Sequence, residues 1–354
     1  MKALILAGGE GTRLRPLTYS IVKQLVPVAN KPVIEYGLEA IIQAGIQEIG
    51  IIVTNLQSEI CKVLGDGSLF GAKITYIPQP KPLGLAHAVQ TARPFLGEDD
   101  FIMYLGDNLI TSPLQPLLKE FLSKAPAALV LLTPVSNPEA FGVATVRDGQ
   151  IIHLEEKPKQ PTSDLALVGV YLFSSRIHQM IDQLTPSWRG EYEITEAIQH
   201  LIDQNHTVHS HIIKGWWKDT GTVKSILEAN CLVLEDLETQ IEGHVDQKTH
   251  LSGRVNISKG AKIIRSTIRG PVMIGENCHI EDSFIGPFTS IDRQTIIKKT
   301  EVEYSIILQD CKLENIGVRL ENSLLGRGVQ MRRNDQMPRS YEVVVGDSST
   351  IMLP

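Results

Sequence analysis

Lys2-Ala3-Leu4-Ile5-Leu6-Ala7 runs directly into Gly8-Gly9-Glu10-Gly11-Thr12-Arg13-Leu14-Arg15-Pro16, and Lys23 follows a short way on. The first six residues read as a short apolar strand. A strand that empties into Gly8, Gly9 and Gly11 can bring backbone N–H groups close to an anion, because residues without Cβ permit positive φ and close approach. Arg13 and Lys23 add full positive charge to that cradle of partial charges. The combination suits a triphosphate. Two commoner phosphate loops are excluded. A P-loop needs Gly-Lys-Ser/Thr where Gly11 is followed by Thr12-Arg13. A dinucleotide fingerprint needs an acidic residue closing the second strand, and Ile49 to Thr54 ends without one.

Working outward, apolar strands alternate with amphipathic helices as far as about residue 135. The strands are expected at Ala3–Ala7, Ile49–Thr54, Ile74–Ile77, Phe101–Leu105 and Ala128–Thr133, with helices at Val33–Ala44 and Gly84–Ala92. This alternation predicts an α/β domain with a mainly parallel sheet covered on both faces. Ligands in such sheets sit at the carboxyl ends of strands, where the glycine loop and Gly106-Asp107-Asn108 both fall.

From residue 250 the texture changes. Aliphatic residues recur about every six positions among Gly, Asp, Asn, Ser and Thr, and three series repeat every seventeen residues. They are Leu251, Ile268, Ile285, Val302; then Ile257, Ile274, Ile291, Leu308; then Ile263, Ile280, Ile297, slipping by one to Leu313. Three stacked columns per coil describe a triangular prism, the hexapeptide β-helix pattern. Val223–Leu237 reads as a linking helix, and Tyr341 to Pro354 as a cap or strand that folds back. The boundaries expected are 1–240 for the catalytic domain, 241–335 for the β-helix and 336–354 for the cap. A chain ending near Leu237 is expected to keep a folded nucleotide site.

At 354 residues the chain has room for two or more domains, and 42% hydrophobic with 21% charged residues is ordinary for a globular protein. A net charge of -6 argues against nucleic acid as partner, so basic residues are read as local anion sites. Cys61, Cys231, Cys278 and Cys311 lack metal-ligand spacing and are expected to be reduced core residues. No apolar run reaches the ~18 residues of a bilayer span, so no membrane partner is expected and the cytoplasm is the expected location.

Several side chains could carry chemistry. Asp107 and Asp219 are carboxylates at strand ends, natural ligands for a magnesium ion that also takes substrate phosphates. Lys157 and Arg189 could hold a monophosphate while Glu156 accepts from sugar hydroxyls. Gln79 and the backbone at Gly84 could read a nucleobase edge. His87 is read as a packing histidine, because an ionised phosphate needs no base to attack.

These motifs together resemble the sugar-1-phosphate nucleotidylyltransferases, in their long form with a left-handed β-helix tail. The likeness is carried by Gly8-Gly9-Glu10-Gly11-Thr12-Arg13-Leu14, Lys23-Gln24-Leu25-Val26-Pro27-Val28, Leu105-Gly106-Asp107-Asn108, Phe141-Gly142-Val143, Glu155-Glu156-Lys157-Pro158, Arg189-Gly190-Glu191-Tyr192-Glu193-Ile194-Thr195 and Asp219-Thr220-Gly221. It implies a Rossmann-like nucleotidyltransferase domain followed by the β-helix. It also implies Mg²⁺-dependent transfer of a thymidylyl group from dTTP to glucose 1-phosphate, giving dTDP-glucose and pyrophosphate. In that family pattern Arg13 and Lys23 hold the triphosphate with Gly8, Gly9, Gly11 and Thr12, and Asp107 and Asp219 bind the metal. Gln24 contacts the nucleoside, Gln79 and Gly84 the thymine, Gly142, Glu156 and Leu167 the sugar, and Lys157 and Arg189 its phosphate. UTP or another sugar phosphate, a hexapeptide acyltransferase using His244, His250 or His279, and an inactive regulatory relative remain as alternatives. The tail departs from the short tetrameric members, so their assembly does not carry over; self-association into a homo-oligomer stays open.

Overall fold

The computed structural model describes residues 1–9, 11–56, 58–333 and 343–352. A nine-stranded sheet is built from β1 (Lys2–Leu6), β2 (Glu48–Val53), β3 (Lys73–Pro78), β4 (Phe101–Leu105), β5 (Ala128–Pro134), β6 (Gly142–Arg147), β7 (Gln150–Glu156), β8 (Leu165–Phe173) and β9 (Val208–Ile212). Its order is β3-β2-β1-β4-β8-β5-β9-β7-β6. The strands read from the sequence are all present within a residue or so of their expected ends, as are helices α1 (Val33–Gln43), α2 (Leu85–Thr91) and α3 (Val223–Glu235). Strands β1 to β4 are mutually parallel. The edge strand β3 buries only Ile74, whereas β1, β2 and β4 are buried on both faces. That is why they read as continuous Ile, Leu and Val runs. Beyond β4 the sheet becomes mixed, because β8 runs antiparallel to both β4 and β5.

The chain forms two compact units that do not follow its linear order. The first comprises Met1–Glu10, Val22–Leu25 and Val33–Lys218; the second comprises Gly11–Ile21, Val26–Pro32 and Asp219–Pro354. In the second, three parallel stacks of six, six and five short strands form the prism of a β-helix. Its columns are Ile241, Ile257, Ile274, Ile291, Ile307, Leu325; Val245, Ile263, Ile280, Ile297, Leu313, Met331; and Leu251, Ile268, Ile285, Val302, Leu320. One expected member is corrected. Ile307, and not Leu308, pairs with Ile291. The turn after Val302 is one residue shorter than the turn after Ile285, and Tyr304 takes it at φ 46° with its ring 5.3 Å from Phe288. The slip therefore enters one column earlier than the sequence suggests. Leu308 is buried, but outside the column.

One prism corner carries a column of buried hydroxyls. Ser266 and Ser283 each donate to the carbonyl two residues back, and accept the N–H of Ser283 (3.1 Å) and Thr300 (3.2 Å) from the next coil. Buried corner amides thereby find partners.

Helix α3 starts at a capping box formed by Thr222 and Ser225. Its Asn230 is buried, with Oδ1 accepting from the Ala29 N–H (2.9 Å) and the Ser290 hydroxyl (2.9 Å), while Nδ2 donates to Phe288 O (3.1 Å). Asn30 Nδ2 donates to Ile291 O at 2.8 Å, and Leu17 Cδ1 lies 3.4 Å from where a Cβ on Gly326 would stand. Segments 11–21 and 26–32 group with the coils in one compact unit, so the expected boundary at 240 does not coincide with the units. A chain ending near Leu237 would strip Asn30 and Asn230 of partners.

All four cysteines are free; Cys278 and Cys311 are buried, whereas Cys61 and Cys231 are half-buried. Among the described residues no helix is long and apolar enough to cross a membrane. The expected C-terminal cap lies partly outside the described residues, and the described segment 343–352 forms neither helix nor strand and is exposed.

Two outcomes follow from this packing. Asn230→Leu leaves one buried N–H, one carbonyl and one hydroxyl without partners, at about 1–3 kcal/mol each, so calorimetry should record a marked fall in Tm. A melting point matching wild type would contradict the hub. Ile280→Asp places an unpaired charge inside the prism, and hydrogen exchange should show lost protection concentrated in neighbouring coils, since each coil contacts only its neighbours. Uniform loss along the chain would contradict that.

Candidate functional site

In the first unit the carboxyl edge of β1 and β4 is backbone-lined. Gly106 N donates to Leu6 O at 2.9 Å, joining the loops that follow the two strands. A Cβ on Gly106 would lie 3.0 Å from Leu6 O, and one on Gly8 would lie 3.3 Å from Gln79 Oε1. Side chains at these positions would crowd the turn, which is why the sequence needs glycine there. Gln24, 3% exposed, lies beneath: its Nε2 is 3.9 Å from the Cβ position of Gly9, and its Oε1 is buried without a hydrogen-bond partner.

Lys23, buried at 8% exposure, pairs through Nζ with Asp107 Oδ2. Asp107 Oδ1 accepts from Asn108 Nδ2 at 2.8 Å, and Asn108 Oδ1 accepts from Trp217 Nε1 at 2.5 Å. The cation is therefore fixed before any ligand arrives, and the carboxylate's orientation is set by a chain of amide and indole donors. Neither Asn108 nor Trp217 was singled out for a role from sequence; the only signal was their place beside the two aspartates.

Gln79 is buried, and its Nε2 lies 2.8 Å from His87 Nδ1. His87 sits on α2 and stacks on Tyr192 at 6.2 Å between centroids. The reading of His87 as a packing residue missed this bond, because Gln79 and His87 meet only when β3 and α2 are folded. Gly84, at φ 105°, starts the helix under a strap: Tyr192 N donates to Leu83 O and Tyr192 O accepts from Ala86 N. A Cβ on Gly84 would come within 2.5 Å of Tyr192 O, so only glycine fits.

A second constellation forms in the same unit. A Cβ on Gly142 would lie 2.8 Å from Thr195 Cγ2, 3.1 Å from Glu156 Oε2 and 3.6 Å from Leu167 Cδ1. The expected sugar residues Gly142, Glu156 and Leu167 are thus brought together, along with Thr195, whose hydroxyl donates to Glu156 Oε2 at 3.3 Å. Leu167 reaches this place because the pairing of β8 with β5 shifts register between Leu167 and Tyr171, and such irregularities re-aim side chains. Arg189 lies 3.5 Å from Glu156, 3.0 Å from Glu191 and 3.3 Å from Glu193. Lys157 is exposed, at φ 45°, with its N–H donated to Phe141 O.

In the second unit, Gly221 separates a cation from a carboxylate: a Cβ there would lie 2.7 Å from Arg13 Nη2 and 3.0 Å from Asp219 Oδ1. Gly11 adopts φ 65°, and its carbonyl accepts from the Thr18 hydroxyl at 2.8 Å. Thr12 and Arg13 are exposed; Glu10 lies outside the described residues. The coil histidines offer no nucleophilic arrangement, since His244 and His250 are exposed and His279 pairs with Glu281 at 3.1 Å. Among the described residues no cluster of three or more His, Cys, Asp or Glu could hold a metal on its own.

Burial, and then repulsion from Glu193, raises the Glu156 carboxyl above its ordinary 4.5, against the opposing pull of Lys157 and Arg189. The folded protein therefore holds this proton more tightly than the unfolded chain. That contribution to stability is complete below the unfolded value and declines as pH rises from there through the folded value. Glu156→Gln should gain Tm relative to wild type as pH is raised above about 4.5; a difference that stays constant with pH would contradict the assignment.

The nucleotidyl transferase family model matches residues 2–236. The chain is 52% identical over 350 residues to a glucose-1-phosphate thymidylyltransferase of Streptomyces griseus, covering 99% of this chain and 98% of that one. It is 44% identical to the low-salt glycan biosynthesis nucleotidyltransferase Agl11 of Haloferax volcanii, over 100% of both chains. Among solved structures it resembles a candidate glucose-1-phosphate thymidylyltransferase of Bacillus anthracis in complex with sucrose. There the TM-score is 0.63 and the identity 38%, over 68% of this chain and 98% of that one.

Proposed function

Because the chain belongs to the nucleotidyl transferase family, among the glucose-1-phosphate thymidylyltransferases, we propose that it joins dTTP and glucose 1-phosphate into dTDP-glucose with release of pyrophosphate. The observation that carries this reading is the pair of constellations on one sheet. The Gly8, Gln24, Gln79 and Lys23–Asp107 group suits a nucleotide. The Gly142, Glu156, Leu167 and Thr195 group, with Arg189 alongside, suits a sugar phosphate.

The chemistry is in-line attack by a phosphate oxygen of glucose 1-phosphate on the α-phosphorus of dTTP; the bond to pyrophosphate breaks as the new one forms. The attacking oxygen is already ionised, so no side chain need remove a proton. Both reactants are anions, and the barrier is largely repulsion and alignment. Fixed geometry can supply about 7–11 kcal/mol of that barrier, and charges placed in advance supply more. Lys23, held by Asp107, and Arg13 oppose the triphosphate charge. Lys157 and Arg189 hold the sugar phosphate, while Glu156 and Thr195 fix the sugar hydroxyls. Asp107 and Asp219 each offer hard carboxylate oxygens of the kind Mg²⁺ takes alongside phosphate and water. A Mg²⁺ ion held by these carboxylates would screen phosphate charge and favour departure of pyrophosphate.

Pyrophosphate release measured with glucose 1-phosphate and each nucleoside triphosphate tests the reading and separates dTTP from UTP. Arg13→Ala should weaken mainly the triphosphate, and Lys157→Ala mainly the sugar phosphate, by ~2–5 kcal/mol where the partner charge is left unpaired. Asp107→Asn and Asp219→Asn should each abolish turnover in a folded protein. Calorimetric titration that finds both ligands equally weakened in both cation variants would overturn the division.

A further inference from the structure

His87 is a half-buried titratable group beside the proposed nucleotide residue Gln79 that the reaction itself does not use. We infer that His87 is a specificity-determining positioning residue, which fixes the Gln79 amide so that its oxygen is presented to the base. The inference rests on the reading of Gln79 as the residue that meets the nucleobase.

The geometry is a directed hydrogen bond. The Gln79 amide nitrogen can only donate, so at 2.8 Å His87 Nδ1 must accept. The imidazole is then neutral, with its proton on Nε2. Burial favours that state, holding His87 below the usual histidine range. With Nε2 committed to His87, Gln79 Oε1 faces the glycine turn, 3.3 Å from the Cβ position of Gly8. One further contact restrains the ring, which stacks on Tyr192 with centroids 6.2 Å apart.

The consequence is a base code written by one acceptor. Thymine and uracil carry an N–H at ring position N3, which an amide oxygen accepts. Cytosine carries a lone pair there, which the same oxygen repels. A free glutamine could turn its amide over and offer nitrogen instead, accommodating cytosine. Tethered to His87, it cannot do so without losing a buried bond, and leaving a buried polar group unmade is what gives such sites their discrimination.

The test uses the full chain, glucose 1-phosphate, and dTTP or dCTP, with kcat/KM read from pyrophosphate release. His87→Leu removes the acceptor and should lower the dTTP-to-dCTP preference about tenfold, with the KM for glucose 1-phosphate unchanged as a check on folding. His87→Asn restores an acceptor near the Nδ1 position and should recover most of the preference. A preference unchanged in His87→Leu while Gln79→Ala loses it overturns this inference and leaves the base reading intact. A preference indifferent to both substitutions overturns the two together. Failure of His87→Asn to recover what His87→Leu loses also counts against it, since simple loss of packing would give that result.

Discussion

The carboxamide of Asn230 is where stretches far apart in sequence become one body. It satisfies an amide from the segment 26–32, a hydroxyl and a carbonyl from the β-helix, and it does so at 1% exposure. In that setting water cannot replace a lost partner, so the three bonds stand or fall together. Ala29 and Asn30 both adopt positive φ there, a conformation that needs support from outside the segment. The β-helix therefore does more than append a repeat array: the second unit's share of the phosphate motif, Gly11 to Ile21, belongs to the same compact body.

In the first unit the governing constraint is backbone exposure. Gly8, Gly106, Gly84 and Gly142 each stand where a Cβ would meet a carbonyl, an amide or a carboxylate within 3.3 Å. The missing side chains leave neighbouring carbonyl, amide and carboxylate groups uncovered at these four positions. In the same unit the charged groups are held in fixed pairs. Lys23 is bound to Asp107, and Arg189 faces three glutamates. Burial first, and repulsion from Glu193 second, raise the Glu156 carboxyl against the pull of Lys157 and Arg189.

Much of this was legible from residues alone. Strands buried on both faces give uninterrupted aliphatic runs, so β1, β2 and β4 could be read almost to the residue, and the seventeen-residue spacing announced the prism. Motif glycines and paired charges marked both constellations, and Gly142, Glu156 and Leu167 do meet as expected. The slip to Ile307 was hidden because two isoleucines and a leucine stand side by side at Ile306, Ile307 and Leu308, and all three are buried. Only the turn at Tyr304 decides which of them faces the column.

What the sequence determined by itself was the local and the periodic: which segments become strands and where the chain turns on glycine. Those features depend on neighbours a few residues away or on a fixed repeat. Tertiary structure alone decided the mixed half of the sheet, the union of residues 11–21 and 26–32 with the coils, and the bond between Gln79 and His87. Each of these is a contact between segments whose separation in the chain leaves no periodicity to read, and hydrogen-bond partners of that kind are chosen only once burial has made an unpaired polar group too costly to leave alone.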